Sequence, residues 1–472
     1  MLRFWRHGFS VSSIAKNHVL QTSDILLCLT GRRPVNKFHT QTVHWQPEGK
    51  DDSDVTVCQL VSFRSLDSNP LRAMIVNDTT SGSSAYKHLR KGGVVLYSGG
   101  DYYNARQLLN TIKRKCSPSL QKARKQKYNE KKKKYQPAKQ KDADDIRMQW
   151  INQRQLQRKQ SEFVNKILIQ ISMENSMPNQ IEGLKRVPKN VEQILSYAFQ
   201  NNKDMIIDKL GVGDQPTSFL LSLSDFIGMV GGYEWNRNGV YIKAMKDYIY
   251  PHYGVFPPTR QEYIKLLDYI DSTKENTTLM EVGIGSGVLS CVLLKEQKVT
   301  HVIGTDNNPY AIACARDNLD RLGFGNHVDL IQTDIFPTTT ELMDMVLFNP
   351  PWIPCIQYDE ATWFEKAVYD QDQNVLRRFL LQVQNHVNED GHVYLILSNL
   401  GILLGLFKEQ DLYDMFEEGN LDLVDVHKTT PKTKATTKRS ARGKEKEPEP
   451  IANARAQEVI SLYKLRVKKT QL

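Results

Sequence analysis

Cysteine is scarce in this chain of 472 residues: Cys28, Cys58, Cys116, Cys291, Cys314 and Cys355 are scattered, and no two form a C-x-x-C pair. Neither a zinc ribbon nor a secreted framework is indicated, a reducing compartment fits, and no metal site is expected; the length itself excludes a small disulfide scaffold. Also missing is any uncharged apolar run of the ~18–20 residues that a bilayer-spanning helix needs, so no membrane partner is expected. Acidic residues fall short of basic ones, 53 against 63, and the shortfall is local. Residues 113–141 hold thirteen Lys or Arg and the single acid Glu130, which leaves the rest of the chain at a net −2. Such a block attracts polyanions such as RNA and equally suits a solvated linker. Acids are nearly absent from 1–42 as well, where Arg3, Arg6, Lys16, Arg32, Arg33 and Lys37 face Asp24 alone. That stretch, with interspersed Ser and a run at Ile25–Leu29 too short for a secretory core, reads as a mitochondrial address; a cytoplasmic or nuclear protein is the alternative.

The length allows two to four domains at ~100–200 residues each. After a strand-like Val55–Phe63 and a helix around Ala105–Lys115, long helical character over Asp142–Met173 and further helices at Val191–Phe199 and Ser222–Met229 give a mostly helical N-terminal module. From 278 to 400 the pattern changes to short β-rich runs alternating with helical ones, the signature of a parallel sheet covered on both faces. Ligands of such sheets sit beyond the carboxyl ends of the strands, so the residues just after each strand are the informative ones.

The first strand is followed by Glu281-Val-Gly283-Ile-Gly285-Ser-Gly287, opening onto a helix. Glycines here let the backbone approach a ligand closely, although a glycine-rich loop alone is shared by dinucleotide folds and functionless turns. The second strand ends in Asp306-Asn307, where a carboxylate is placed to accept both ribose hydroxyls of an adenosine. The third precedes Asp334-Ile335, an acceptor for the adenine amino group beside an apolar residue for its ring. Each acid singly fits a helix cap; three features in register at strand ends favour adenosine. The fourth strand, Met345–Phe348, runs into Asn349-Pro350-Pro351-Trp352.

With that motif the sequence resembles the class I S-adenosylmethionine-dependent methyltransferases, in the branch whose Asn-Pro-Pro-aromatic signature serves methylation of nitrogens conjugated to a π-system. The resemblance implies a Rossmann-like seven-stranded α/β sheet with an antiparallel last strand, and S-adenosylmethionine as cofactor. It implies that Gly283, Gly285 and Gly287 cradle the methionine portion, Asp306 holds ribose, Asp334 adenine, and Asn349 faces the acceptor. The Asn349 side-chain oxygen and the Pro350 carbonyl would accept the acceptor's amino hydrogens and align its lone pair with the transferring methyl. The prolines stiffen the loop, and Trp352 offers a face on which a planar acceptor stacks. Tyr253-Gly-Val-Phe-Pro-Pro-Thr-Arg260, Ala367-Val-Tyr-Asp370, Leu395-Ile-Leu-Ser-Asn399 and, upstream, Gly100-Asp-Tyr-Tyr-Asn-Ala-Arg-Gln-Leu-Leu109 resemble a bacterial family of the methyltransferase small domain type over roughly 84–427 and 458–469. A helical N-terminal module fixed to the catalytic domain is also similar to the release-factor glutamine methyltransferases, which carry Tyr where this chain has Trp352.

The expected organisation is a targeting segment at 1–42, a small α/β region at 43–112, a basic linker at 113–141, and a helical substrate-recognition module at 142–250. The methyltransferase domain follows at 251–427 and 458–469, interrupted by a disordered insert at 428–457, rich in Lys, Thr, Pro and Glu, between the last two strands. The two basic segments and Trp352 favour methylation of a planar nitrogen of RNA. The alternatives are a protein amide of glutamine type, and a non-catalytic scaffold, for which the intact motif residues have no use. Nothing in the sequence fixes an oligomeric state.

Overall fold

A computed structural model describes residues 39–45, 56–62, 71–116, 141–174, 177–199, 218–271, 274–338, 341–355, 363–431 and 449–469. The proposed targeting segment up to residue 38, most of the basic block and the lysine-rich part of the late insert lie outside the described residues. No described helix is long and apolar enough to cross a membrane.

The N-terminal module is not mostly helical. Strands β1 (His39–Trp45), β2 (Thr56–Ser62), β3 (Leu71–Val76), β4 (Val94–Tyr97), β5 (Ile167–Glu174), β6 (Met177–Ile181) and β7 (Ser218–Ser222) form one mixed sheet in the order β4-β3-β1-β2-β7-β5-β6. Because β4 also pairs with β5, six of these strands close into a small barrel. The period-2 alternation of a strand sorts its residues. Leu60, Val94, Leu96, Leu168 and Leu220 fill the inside. The intervening Val95, Tyr97, Ile167, Ile169, Phe219 and Leu221 face the helices outside. These helices include α1 (Gly82–Arg90), α2 (Tyr102–Cys116), α3 (Lys141–Val164), α4 (Val191–Phe199) and α5 (Leu223–Asn238). The expected regions 43–112 and 142–250 are therefore one unit. The helix expected over Asp142–Met173 stops at Val164, because Ile167, Ile169 and Ile171 recur every second residue and pair into the barrel. The Gly100-Asp101 motif is structural: Asp101 caps α2 through the Tyr103 N–H at 2.7 Å and pairs with Arg186, while a Cβ at Gly100 would come within 2.6 Å of Asp78 Oδ1.

A second seven-stranded sheet contains β8 (Thr278–Val282), β9 (His301–Asp306), β10 (Val328–Gln332), β11 (Met343–Phe348), β12 (Val387–Ser398), β13 (Leu421–Thr429) and β14 (Ile460–Val467), ordered β10-β9-β8-β11-β12-β14-β13. The first five in this order run parallel, and β14 lies antiparallel to both of its neighbours, as expected. Two clusters of buried residues fill the two faces of this sheet, beneath helices that include α6 (Val288–Lys295), α7 (Pro309–Arg321), α8 (Asn374–Gln382) and α9 (Glu409–Glu418). Strand order reverses between β8 and β11, and the register Val282↔Phe348 brings Gly283 and Asn349 out of the sheet side by side.

The expected disordered insert is corrected at its end: Glu449–Ala456 forms a helix, α10. Ile451 and Ala454 are buried against Trp150 of α3, Leu400, Leu404 and Ile353. Two apolar positions make too weak a periodic signal to read from the sequence; the helix is held by packing.

Candidate active site

One cavity of about 560 Å³ opens at the switch point, inside the ~300–1,000 Å³ range of small-molecule sites. Glu281, Gly283, Gly285, Asp306, Asn307, Asp334, Ile335, Asn349, Pro350, Pro351 and Trp352 line it. Gly287 does not; its φ of 79° opens α6, and a Cβ there would sit 3.4 Å from the Ala315 backbone. At that position it brings the start of α6 against Ala315 of α7. Gly283 and Gly285 have φ of 67° and 56°, left-handed backbone that a side chain would strain.

Asp306 holds this loop. Its Oδ2 accepts the Gly285 N–H at 3.0 Å and its Oδ1 the Asn308 N–H at 2.9 Å. Burial pushes its carboxyl up to about 6, against the pull of these backbone donors. Glu281 lies beneath, buried, accepting both the N–H and the hydroxyl of Ser290; burial raises it to about 8. Ile335 is buried at φ 71°, an unfavourable backbone for a β-branched residue, held by the Thr305 hydroxyl donating to its carbonyl at 2.8 Å. Asp334 stands exposed at the rim, bound by Arg378 at 2.8 Å.

Trp352, expected as a stacking face, is also tied into the wall of the cavity. It is half-buried, its indole N–H donates to Asn349 Oδ1 at 2.9 Å and to the Ile396 carbonyl at 3.2 Å, and Tyr263 meets it edge-on. Arg260 lies over the ring, its Cζ 5.6 Å from the centroid.

Several lining residues escaped the sequence reading. Arg260 was visible only as the end of a proline-stiffened approach, and Glu458 carried no signal. Arg260 donates to both oxygens of buried Glu458, at 3.3 and 3.1 Å. The motifs Leu395–Asn399 and Ala367–Asp370 also acquire physical reasons. Ser398 bonds Glu458 at 2.7 Å, Asn399 Oδ1 accepts the Val459 N–H at 2.8 Å, and buried Asp370 accepts the Val375 and Leu376 N–H groups that start α8. The N-terminal module reaches the same rim, where Arg154 of α3 lies 4.2 Å over the Tyr369 ring.

Residues 264–403 match the family model of the methyltransferase small domain. A putative protein N5-glutamine methyltransferase of Methanocaldococcus jannaschii is 26% identical over 162 residues, covering 34% of this chain and 79% of that one. A release factor glutamine methyltransferase of Cereibacter sphaeroides is 37% identical over 76 residues, 16% of this chain and only 27% of that relative's length. Among solved structures, a S-adenosylmethionine-dependent methyltransferase of Geobacter sulfurreducens in complex with S-adenosyl-L-homocysteine is 13% identical over 46% of this chain and 92% of that one, with a TM-score of 0.32. The cavity suits the cofactor: two left-handed glycines leave its floor open and Asp306 presents a carboxylate in it. The chain is a S-adenosylmethionine-dependent methyltransferase, with a class I sheet whose residues 264–403 match the methyltransferase small domain.

Proposed function

We propose that the acceptor is a side-chain amide of a protein, glutamine by preference. The observation that carries this reading is the state of Trp352. Its N–H is engaged by Asn349 and Ile396 and a guanidinium lies over its ring, so it serves as a brace for Asn349 rather than a platform for a base. The groups left to grip an acceptor at this corner are polar and small, the Asn349 oxygen and the Pro350 carbonyl, and both suit the two hydrogens of a primary amide. The names of the relatives, which concern glutamine, support the same reading. The basic block that favoured RNA lies mostly outside the described residues.

Bound in the cavity, S-adenosylmethionine supplies an electrophilic methyl group. The protein's share is orientation and charge. An amide nitrogen has its lone pair delocalised into the carbonyl, and two fixed acceptors on its hydrogens favour the pyramidal geometry that frees it. They also stabilise the positive charge that develops, so no strong base is needed. Pro350 and Pro351 lock the backbone of this corner, which lowers the reorganisation needed at the moment of reaction.

The test uses the purified full chain, labelled cofactor, and separate protein and RNA fractions from cells lacking the gene. Label in protein that acid hydrolysis releases as methylamine supports an amide acceptor. Label confined to RNA, or protein label that hydrolysis leaves on an amino acid, overturns it.

A further inference from the structure

Four side chains run in series from the last strand to the acceptor corner. Glu458, two residues before β14, is held by the Ser398 hydroxyl at 2.7 Å and by two guanidinium nitrogens of Arg260. Arg260 lies against the Trp352 ring, and Trp352 donates to Asn349 Oδ1 at 2.9 Å. We infer that Arg260 and Glu458 are positioning residues for methyl transfer: they hold the Trp352 indole where its N–H fixes the orientation of the Asn349 amide.

The reasoning is chemical. An asparagine amide turns easily about its last torsion, and its oxygen and nitrogen are nearly the same size. Turned one way it offers acceptor lone pairs, turned the other way N–H donors, which oppose an incoming amide N–H. An indole N–H can only donate, so it pairs with the oxygen alone and selects the useful orientation. One lone pair of Oδ1 stays available for the acceptor. Arginine suits the next position because a planar cation is attracted to an indole face and its fork matches a carboxylate. Glu458 balances that charge, and Ser398 and Asn399 of the Leu-Ile-Leu-Ser-Asn run fix the backbone and side chain around it. Three segments far apart in sequence thus converge on one amide.

This inference rests on Asn349 gripping the acceptor nitrogen, and its first test needs no acceptor. In full-length protein labelled with ¹⁵N-tryptophan, the Trp352 indole signal is identified by its loss in Trp352→Phe. Glu458→Gln and Arg260→Lys are expected to move that signal and to raise the exchange rate of its proton, while the Trp235 indole signal stays in place and cofactor affinity in calorimetry is unchanged. Asn349→Ala should move the Trp352 signal as well. An unmoved Trp352 signal in both Glu458→Gln and Arg260→Lys overturns the assignment, as does a shift of all indole signals with loss of cofactor binding, which marks general loosening. The second test is a cycle of single-turnover rates on the fraction that takes label. Trp352→Phe and Glu458→Gln should each slow transfer ~5–10-fold, the effect of about one hydrogen bond, yet slow the Asn349→Ala protein no further. Losses that multiply in that background overturn the inference while leaving the identity of the acceptor untouched.

Discussion

Asp306 binds the N–H of Gly285 at 3.0 Å, so the acid at the end of β9 fastens the glycine loop that follows β8. The same carboxylate lines the cavity in which the cofactor's ribose is expected to lie. Burial raises its pKa to about 6, and that makes cofactor binding sensitive to mild acid. Above about 6 the group is charged and accepts hydroxyl hydrogens strongly; below it, the carboxyl is protonated and accepts weakly. Affinity for S-adenosylmethionine should therefore fall up to ~10-fold for each pH unit below the pKa. Calorimetric titration between pH 7.5 and 5.0 measures it, and Asp306→Asn should bind weakly with a flat profile. A flat profile in the parent would remove Asp306 from the cofactor site.

Removing the acceptor altogether is harsher. Asp306→Ala should cost ~1.5–3 kcal/mol for each ribose bond lost, since these are hydrogen bonds to a charged group. Unchanged affinity in the same titration would end the ribose assignment.

Asn349→Ala separates chemistry from binding. Its side chain stands at the acceptor corner, beyond the glycine loop, so cofactor affinity should hold. The single-turnover rate should fall by ~10²–10³, the range for removal of one preorganised group at a transition state. A parental rate would refute the mechanism.

Glu281 makes stability depend on pH in the direction opposite to most carboxylates. Its carboxyl is raised from an ordinary 4.5 to about 8 by burial, so between these values the folded chain keeps a proton that the unfolded chain releases. Stability from this group is present at low pH, declines as pH rises from about 4.5 to 8, and levels off above. Glu281→Gln should remove that slope, and an uncharged amide oxygen can still accept from Ser290. Urea unfolding at pH 5.5, 7.0 and 8.5 compares the two proteins; parallel curves would contradict this account.

Trp150 of α3 joins the N-terminal module to the second sheet's domain, buried among Ile353, Leu400, Leu404, Ile451 and Ala454. Trp150→Ala should destabilise by ~3–5 kcal/mol, as large aromatic truncations do. Hydrogen exchange should then rise in α10 and at 400–404 before it rises in β8 or β11. Uniform exchange throughout would mean that this cluster does not join the two halves.

The alternation of strands and helices over 278–400, the three glycines, the spaced acids and Asn349-Pro-Pro-Trp were legible because each rests on short-range rules. A strand shows its period, a tight loop needs glycine, and a ligand at strand ends needs its polar groups there. The N-terminal barrel was not legible in the same way. Its strands are short and separated by helices, and β4 meets β5 across some seventy residues that include α2 and α3. Only closure of the ring shows that Leu96 and Leu168 belong to one interior.

The sequence by itself determined the reaction class and the residues that line the cavity at the strand ends, because these lie on loops that follow strands of one sheet. Tertiary structure alone decided what surrounds Asn349 and Trp352. Arg260 and Glu458 are 198 residues apart, and Trp150 reaches Ile353 from another module. No local pattern encodes such meetings. They arise because β14 inserts antiparallel beside β12, delivering Glu458 to Ser398, and because α3 and α10 must bury Trp150 and Ile451 against the same few residues.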